Sequence, residues 1–178
     1  MTIYFTADTH FFHEPIIRFC DRPFRDVQDM NEALVGNWNR RVGADDTVFH
    51  LGDFCFCEGK GAALLARLNG RKRLILGNHD RGPVVTADAW ESVEHYRMIP
   101  RQAGVHPDLI LFHYPIEEWD NVRHGAVHLH GHVHARLPST RQRLDVGVDG
   151  WDFAPVSLDE LLAVAAVLPE HTFVAGPV

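Results

Sequence analysis

Five hydrophobic runs in this sequence end abruptly in histidine, aspartate or asparagine, and these endings hold the side chains that could do chemistry. The densest ending is Gly77-Asn78-His79-Asp80, which follows the aliphatic run Arg73-Leu74-Ile75-Leu76. A glycine that permits a sharp turn is followed there by an amide, an imidazole and a carboxylate in consecutive positions. The recurrence of such endings along the chain is the main indication of function.

The other four endings offer similar side chains. They are Asp8-Thr9-His10, Gly52-Asp53, His113-Tyr114-Pro115 and Gly131-His132-Val133-His134. Together the five endings supply two carboxylates, one amide and four imidazoles, from Asp8, His10, Asp53, Asn78, His113, His132 and His134. That set is too large for one tetrahedral zinc and suits two metal ions. Mixed oxygen and nitrogen ligands favour manganese, our first expectation, or iron, zinc or nickel over magnesium or calcium.

The charge of such a centre makes a phosphate ester its expected substrate. Two carboxylates neutralise only half the charge of two divalent cations, so the centre stays positive even with a bridging hydroxide. Metal coordination lowers the pKa of water to about 7, and two ions roughly 3.5 to 4 Å apart can hold the phosphoryl oxygens for in-line attack. The predicted reaction is hydrolysis of a phosphomono- or phosphodiester by attack of metal-bound hydroxide on phosphorus.

Composition favours one globular domain over residues 1–178. With 178 residues, 46% of them hydrophobic, the chain can bury a substantial core. The 17 Lys and Arg residues against 24 Asp and Glu residues give a net charge of -7. This balance argues against a broad polyanion-binding surface, so a small phosphorylated substrate is preferred to nucleic acid as the partner. The 13 histidines agree with a metal centre, because histidine is the commonest metal ligand.

Cysteine usage and the apolar runs indicate a reduced, cytoplasmic protein. Cys20, Cys55 and Cys57 are too few and too unevenly placed for a disulfide framework, and the last two are expected to be buried or half-buried thiols. The first residues lack the basic stretch of a signal peptide. The longest strongly apolar run, 161–168, is far shorter than the roughly 18 residues of a membrane span, so we expect no membrane association. The oligomeric state stays open.

Periodicity predicts the elements that must position these side chains. Strands are predicted at 3–7, 47–51, 73–76, 109–112, 126–130 and 144–149. Helices are predicted at 27–38 with Asp26 as N-cap, at 60–68, near 88–93, and from the capping box Ser157-Leu158-Asp159-Glu160 to Leu168. Strands interspersed with helices indicate an α/β layered fold, in which ligands collect beyond the carboxyl ends of the strands. The five polar endings should therefore converge on one site.

In their order along the chain, the five motifs resemble those of a known superfamily. The motifs Asp8-x-His10, Gly52-Asp53, Gly77-Asn78-His79-Asp80, His113 and Gly131-His132-x-His134 resemble the calcineurin-like metallophosphoesterase superfamily, in particular its small bacterial predicted phosphoesterases. Any one motif alone is weak, whereas the ordered set across residues 8 to 134 is highly specific. The resemblance implies a single-domain α/β fold with a two-sheet β-sandwich flanked by helices.

The resemblance also implies a role for each residue. It assigns one metal to Asp8, His10, Asp53 and His134, and the other to Asp53, Asn78, His113 and His132, so that Asp53 is the bridge. His79 corresponds to the family's catalytic histidine, which steadies the phosphoryl group or protonates the leaving oxygen. Asp80 is expected to hold the His79 ring and to favour its protonated form.

Some alternatives stay open at the level of the sequence. A scaffold of the same fold could bind metal without catalysis, and a zinc hydrolase could use similar ligands on ester or amide bonds. His13 is expected either to line the substrate pocket or to have a helix-entry or surface role. His50 and His128 lie inside strands and are predicted to be packed and hydrogen-bonded. The remaining histidines are predicted at the surface: His95, His106, His124 and His171.

Overall fold

The computed structural model of the protein describes residues 1–56 and 59–172. Within these ranges its strands are β1 (Ile3–Thr6), β2 (Thr47–His50), β3 (Arg71–Ile75), β4 (Trp90–Glu94), β5 (Tyr96–Ile99), β6 (Leu109–Phe112), β7 (Val127–His130), β8 (Arg143–Asp145) and β9 (Val156–Ser157). The helices are α1 (Glu14–Phe19), α2 (Val27–Arg41), α3 (Gly61–Arg67) and α4 (Leu158–Ala165). None of the helices in the described ranges has the length and apolar character needed to cross a membrane.

The strands pair as two mixed sheets. The first sheet has the order β4-β3-β2-β1-β9, in which β1 to β4 run parallel and β9 runs antiparallel to β1. The second has the order β5-β6-β7-β8, in which only β5 runs antiparallel to its neighbour. Because parallel strands end at the same edge of a sheet, the loops after β1, β2 and β3 lie side by side, as do the loops after β6 and β7.

An apolar core lies between the two sheets. Phe5 and Phe49 of the first sheet belong to the same buried cluster as Leu111 and Leu129 of the second. On the other face of the first sheet, α2 and α3 bury Trp38 and further apolar side chains. Each buried side chain of this kind stabilises the fold by about 1.5–3 kcal/mol. The expected α/β arrangement of two sheets flanked by helices is confirmed.

Helix α2 both covers the first sheet and holds a loop that leads into the candidate site. Its N-cap is Asp26, as predicted, and the Asp26 side chain accepts a hydrogen bond from the Asp29 N–H at 2.8 Å. Asn31 lies on the buried face of the helix, and its Oδ1 accepts from the Phe12 N–H at 3.0 Å. The helix therefore anchors the turn that follows Asp8-Thr9-His10.

Most predicted elements are present, but the prediction of a helix near residues 88–93 is wrong. These residues run into β4, which pairs in parallel with β3 and places Ser92 opposite Arg73. Trp90 is buried, and its Nε1–H donates to the Val84 carbonyl at 2.9 Å. The helical spacing of apolar residues over this short segment is only a weak local preference. Burial of Trp90 and pairing of the segment with β3 outweigh it.

Smaller differences concern the ends of elements. The strand predicted over 144–149 stops at Asp145, and a 3-10 turn, Val148–Gly150, follows it. The capping box at Ser157 is confirmed, but its helix ends at Ala165 rather than at Leu168. Helix α1 is an element that the sequence did not predict. Cys55 is buried as expected, and Cys57 lies outside the described residues.

The packed histidines inside strands are confirmed. His50 and His128 are fully buried, and His50 Nε2 lies 2.9 Å from Thr9 Oγ1. Burial lowers the pKa of both imidazoles to about 3. The surface position predicted for His171 is wrong, because its ring packs against Trp119 and is buried.

The pH dependence of folding tests the burial of His128. Because its pKa is about 3 in the folded chain and about 6.5 when unfolded, the unfolded chain binds more protons as the pH falls from 7 to 5, and stability is lost over that window. Between pH 7 and pH 5, we expect the free energy of unfolding of His128→Gln to fall by about 2 kcal/mol less than that of the wild type, measured by urea unfolding with a chelator present. The exposed His95→Gln is the control, and parallel pH profiles for wild type and His128→Gln would contradict the account.

Candidate metal centre

The five polar strand endings converge at one place. Two groups of side chains each have ligand atoms within 4.8 Å of one another: Asp8, His10 and His134, and Asp53, His113 and His132. Asn78 joins the second group, since its Oδ1 lies 3.0 Å from His113 Nε2. The structure therefore brings together all seven side chains that the sequence nominated as ligands.

Asp53 stands between the two groups. Its Oδ2 lies 3.6 Å from His10 Nε2 and 3.6 Å from His113 Nε2. Its Oδ1 accepts a hydrogen bond from the His79 N–H at 2.9 Å. One oxygen is thus anchored by the backbone while the other faces an imidazole of each group, which is the position required of a bridging ligand.

Asp8 and His10 carry buried polar atoms that have no hydrogen-bond partner among the described residues. Asp8 Oδ2 accepts from the His132 N–H at 2.8 Å, but Asp8 Oδ1 has no partner, and neither does either ring nitrogen of His10. Burial raises the pKa of Asp8 well above its usual value and lowers that of His10. Unsatisfied buried groups of this kind are costly and need an explanation. A divalent cation, which takes carboxylate oxygen and imidazole nitrogen as ligands, fits these residues.

The backbone at the site is strained. Five of the seven candidate ligand residues have left-handed backbone angles: Asp8 (φ 55°), His10 (φ 50°), Asp53 (φ 59°), His132 (φ 73°) and His134 (φ 50°). Such conformations cost about 1–3 kcal/mol each and persist only where the surroundings impose them, as they do at many functional sites. Here hydrogen bonds between the loops impose them, including Asp8 N–H to the Gly52 carbonyl at 2.9 Å and His10 N–H to the Asp53 carbonyl at 3.0 Å.

Two glycines permit close approach to the carboxylates. A Cβ at Gly77 would lie 2.4 Å from Asp53 Oδ1 and 2.6 Å from the Asp53 backbone nitrogen. A Cβ at Gly131 would lie 2.6 Å from Asp8 Oδ2. Both separations are too short for any side chain, so these loops can reach the carboxylates only with glycine at these positions.

His79 lies at the rim of the centre. It is half-buried, and its ring centroid is 5.9 Å from that of His10 and 4.8 Å from that of Phe56. Within residues 1–56 and 59–172, nothing hydrogen-bonds to its ring nitrogens, which leaves them available to a substrate.

The expected contact between Asp80 and the His79 ring is wrong. The Asp80 carboxylate accepts hydrogen bonds from the backbone N–H groups of Asp53, Phe54 and Gly77, at 2.8, 2.9 and 2.8 Å. Its side chain turns inward beneath the loops because these three N–H groups need a partner. Asp80 therefore ties the loop after β3 to the loop after β2, and its contribution to the site is to hold Asp53 in place.

The centre has a buried floor and an open rim. His113, Asp8, His10 and Asp53 are buried, whereas Asn78 is exposed and His132 and His134 are half-buried. His13 stands at the N-terminal end of α1, and its ring stacks on Phe56 at 3.9 Å beside the rim. The predicted helix entry is confirmed for His13, which is half-buried, and its ring also lies beside the candidate centre.

Sequence reasoning missed Arg22 and gave Asp149 no role at the centre. Asp149 Oδ2 lies 2.8 Å from His134 Nδ1, and Arg22 donates to both oxygens of Asp149. Burial opposes ionisation of Asp149, but the hydrogen bonds from His134 and Arg22 outweigh it and lower the pKa of Asp149. Burial also opposes protonation of His134, but the hydrogen bond to Asp149 favours it, and the pKa of His134 is raised to about 10. Cys20, His134 and Asp149 form a third group of potential ligands, but the Arg22 guanidinium already neutralises Asp149. In the sequence, Asp149 was only the last residue of the strand predicted at 144–149, and nothing local pointed to its partner Arg22.

Comparisons with known proteins identify relatives along most of the chain. No family model matches. The chain is 34% identical over 167 residues to the uncharacterized protein MJ1445 of Methanocaldococcus jannaschii, covering 88% of this chain and 87% of that protein. It is 31% identical over 190 residues to the gene 66 protein of Mycobacterium phage L5, covering 89% and 91%. The crystal structure of AQ665 from Aquifex aeolicus, a protein of unknown function, superposes with a TM-score of 0.72 and 25% identity, over 92% of this chain and 98% of that one.

The chain therefore belongs to the family of MJ1445 and the phage gene 66 proteins. The names of these relatives state no activity.

Glycine 77 offers a test of the site's packing. Gly77→Ala should displace Asp53, because the new Cβ would overlap both its carboxylate and its backbone nitrogen. We expect manganese affinity, measured by isothermal titration, to fall at least about tenfold. Gly36→Ala in α2 is the matched control, since its Cβ would meet only Arg40 Nη1 at 3.5 Å. Equal affinities for the two variants would rule out this packing as a requirement for metal binding.

Proposed function

We propose that this chain is a dinuclear metal-dependent phosphoesterase with the calcineurin-like metallophosphoesterase fold, and that it hydrolyses a phosphomono- or phosphodiester. The observation that carries the proposal is the position of Asp53 Oδ2, 3.6 Å from an imidazole nitrogen of each ligand group. Two ligand groups that share one carboxylate are expected in a hydrolase with two metal ions, whereas a single-metal hydrolase requires only one group. Two sheets with the ligands at the carboxyl ends of parallel strands agree with the proposed fold.

The ligand set determines what the centre would hold. Asp8, His10, Asp53 and His134 would hold one divalent ion, and Asp53, Asn78, His113 and His132 the other, with manganese preferred and iron, zinc or nickel as alternatives. When bound, such ions supply Lewis acidity and activate water. Asn78 contributes a neutral ligand, so the protein supplies only the two carboxylates of Asp8 and Asp53 against two dications. The remaining positive charge attracts a phosphate ester.

His79 is the residue that would act on the substrate. Its backbone N–H is fixed by Asp53 Oδ1, while its ring stands at the rim, close to the rings of His10 and Phe56. A ring in this position can donate a hydrogen bond to a phosphoryl oxygen or a proton to the departing oxygen. Asp80 supports this arrangement indirectly, because it holds the loop on which His79 stands.

The substrate is best described as a small phosphorylated molecule in the cytoplasm. The net charge of -7 would repel a long polyanion, which makes nucleic acid the less favoured partner. Exposure of Asn78 at the rim leaves one side of the centre open to solvent, so a substrate could approach from that side.

The proposal is tested by assaying manganese-loaded protein on a matched pair of chromogenic substrates, one phosphomonoester and one phosphodiester. We expect wild type to hydrolyse at least one of them and His79→Ala to be slower by about 10²- to 10⁴-fold, the usual contribution of a general acid. Both proteins should retain two manganese ions per chain, because His79 is not a ligand.

One control and two alternative outcomes make the result specific. His95→Ala alters an exposed histidine and should leave the rate unchanged. Full metal loading of wild type without hydrolysis of either phosphoester would favour a metal-binding scaffold instead. Turnover of a chromogenic carboxylic ester, with both phosphoesters left intact, would favour an ester or amide hydrolase.

A further inference from the structure

A buried ion pair behind His134 carries a further inference. The Arg22 side chain is 0% exposed and that of Asp149 is 9% exposed. The guanidinium donates from Nε to Asp149 Oδ1 at 2.8 Å and from Nη2 to Asp149 Oδ2 at 2.9 Å. Asp149 Oδ2 also lies 2.8 Å from His134 Nδ1. Arginine, carboxylate and imidazole thus form a continuous chain from the interior to a candidate ligand.

We propose that Arg22 and Asp149 are positioning residues that orient His134 and Asp8 for metal binding; this assignment rests on the metal centre of the proposed function. Asp149 accepts the Nδ1–H of His134, which holds a proton on Nδ1 and leaves Nε2 as the ring nitrogen that would bind a metal. Ligating histidines commonly donate their second N–H to a carboxylate in this way, and the partner sets both ring orientation and basicity.

Arg22 also holds the backbone of a second candidate ligand of the same group, Asp8. Its Nη2 donates to the Asp8 carbonyl at 2.7 Å and its Nη1 to the Thr9 carbonyl at 3.0 Å. Asp8 and His134 both have left-handed backbone angles, so each needs contacts that hold it there. One guanidinium thus constrains the backbone of Asp8 directly and the ring of His134 through Asp149.

Arg22 also neutralises the negative charge that Asp149 would bring to the centre. A carboxylate behind a ligand would ordinarily add negative charge to the centre and weaken its attraction for a phosphate ester. Arg22 cancels the charge of Asp149, so His134 gains an orienting acceptor while the net charge of the centre is unchanged. Lysine could not replace it, because a single ammonium group lacks the planar fork that reaches two carboxylate oxygens and two carbonyls together.

The test uses three variants and measures manganese binding to the metal-free chain by titration calorimetry and by the electron paramagnetic resonance signal of unbound manganese. Wild type should bind two ions. We expect Asp149→Asn and Arg22→Lys to weaken the binding of one ion by about 10- to 100-fold and to leave the other within about threefold of wild type. Glu32→Gln, which breaks the exposed Glu32–Arg67 pair between α2 and α3, is the control and should bind both ions normally.

The double variant Arg22→Met/Asp149→Leu separates positioning from folding. Replacing both members of a buried ion pair by apolar residues is often neutral or stabilising, whereas removing one member leaves an uncompensated buried charge. We expect its thermal unfolding temperature to lie above that of Asp149→Asn while its binding of the same ion stays weak. Recovery of metal affinity together with stability would overturn the positioning role, as would undiminished affinity in Asp149→Asn.

Two further outcomes distinguish this assignment from the proposed function. A wild-type chain that binds no manganese overturns the metal centre and this assignment with it. Two ions in wild type, with Asp149→Asn binding both as tightly, overturns the positioning role alone.

Discussion

Two carboxylates buried at the ends of adjacent parallel strands, Asp8 and Asp53, are the constraint on which the rest of this structure depends. Each has one oxygen fixed by a backbone N–H from a distant loop, Asp8 by His132 and Asp53 by His79. These two bonds tie the loops after β7 and β3 to those after β1 and β2. The carboxyl ends of strands from both sheets are thus joined beside Asp8 and Asp53, two carboxylates whose negative charges repel each other.

The protein compensates for this arrangement by rigidity elsewhere. Left-handed backbone at five candidate ligand residues is tolerable because the core between the sheets fixes the strands from which those residues extend. Asp80 satisfies three backbone N–H groups beneath the loops, and Arg22 holds two carbonyls and Asp149 from the other side. The loops that carry the candidate ligands are therefore held by hydrogen bonds from side chains that are not themselves candidate ligands, as preorganisation requires.

The parts of the structure predictable from the sequence are those with a local cause. The buried strands, α2 with its Asp26 cap, and the convergence of polar endings all follow from hydrophobic runs, capping chemistry and the rule for parallel sheets. The failures have non-local causes. Strand β4 forms because Trp90 is buried beside β3, Asp80 turns away from His79 toward N–H groups of a different loop, and Arg22 is paired with a residue 127 positions away. No local pattern encodes such partners.

The most direct test of the central claim is anomalous diffraction, at the manganese absorption edge, from crystals of the manganese-loaded protein. Two peaks are predicted, about 3.5–4 Å apart, on either side of Asp53 Oδ2. One should lie among Asp8, His10 and His134, and the other among Asn78, His113 and His132. A single peak, or peaks away from these side chains, would contradict a dinuclear centre bridged by Asp53.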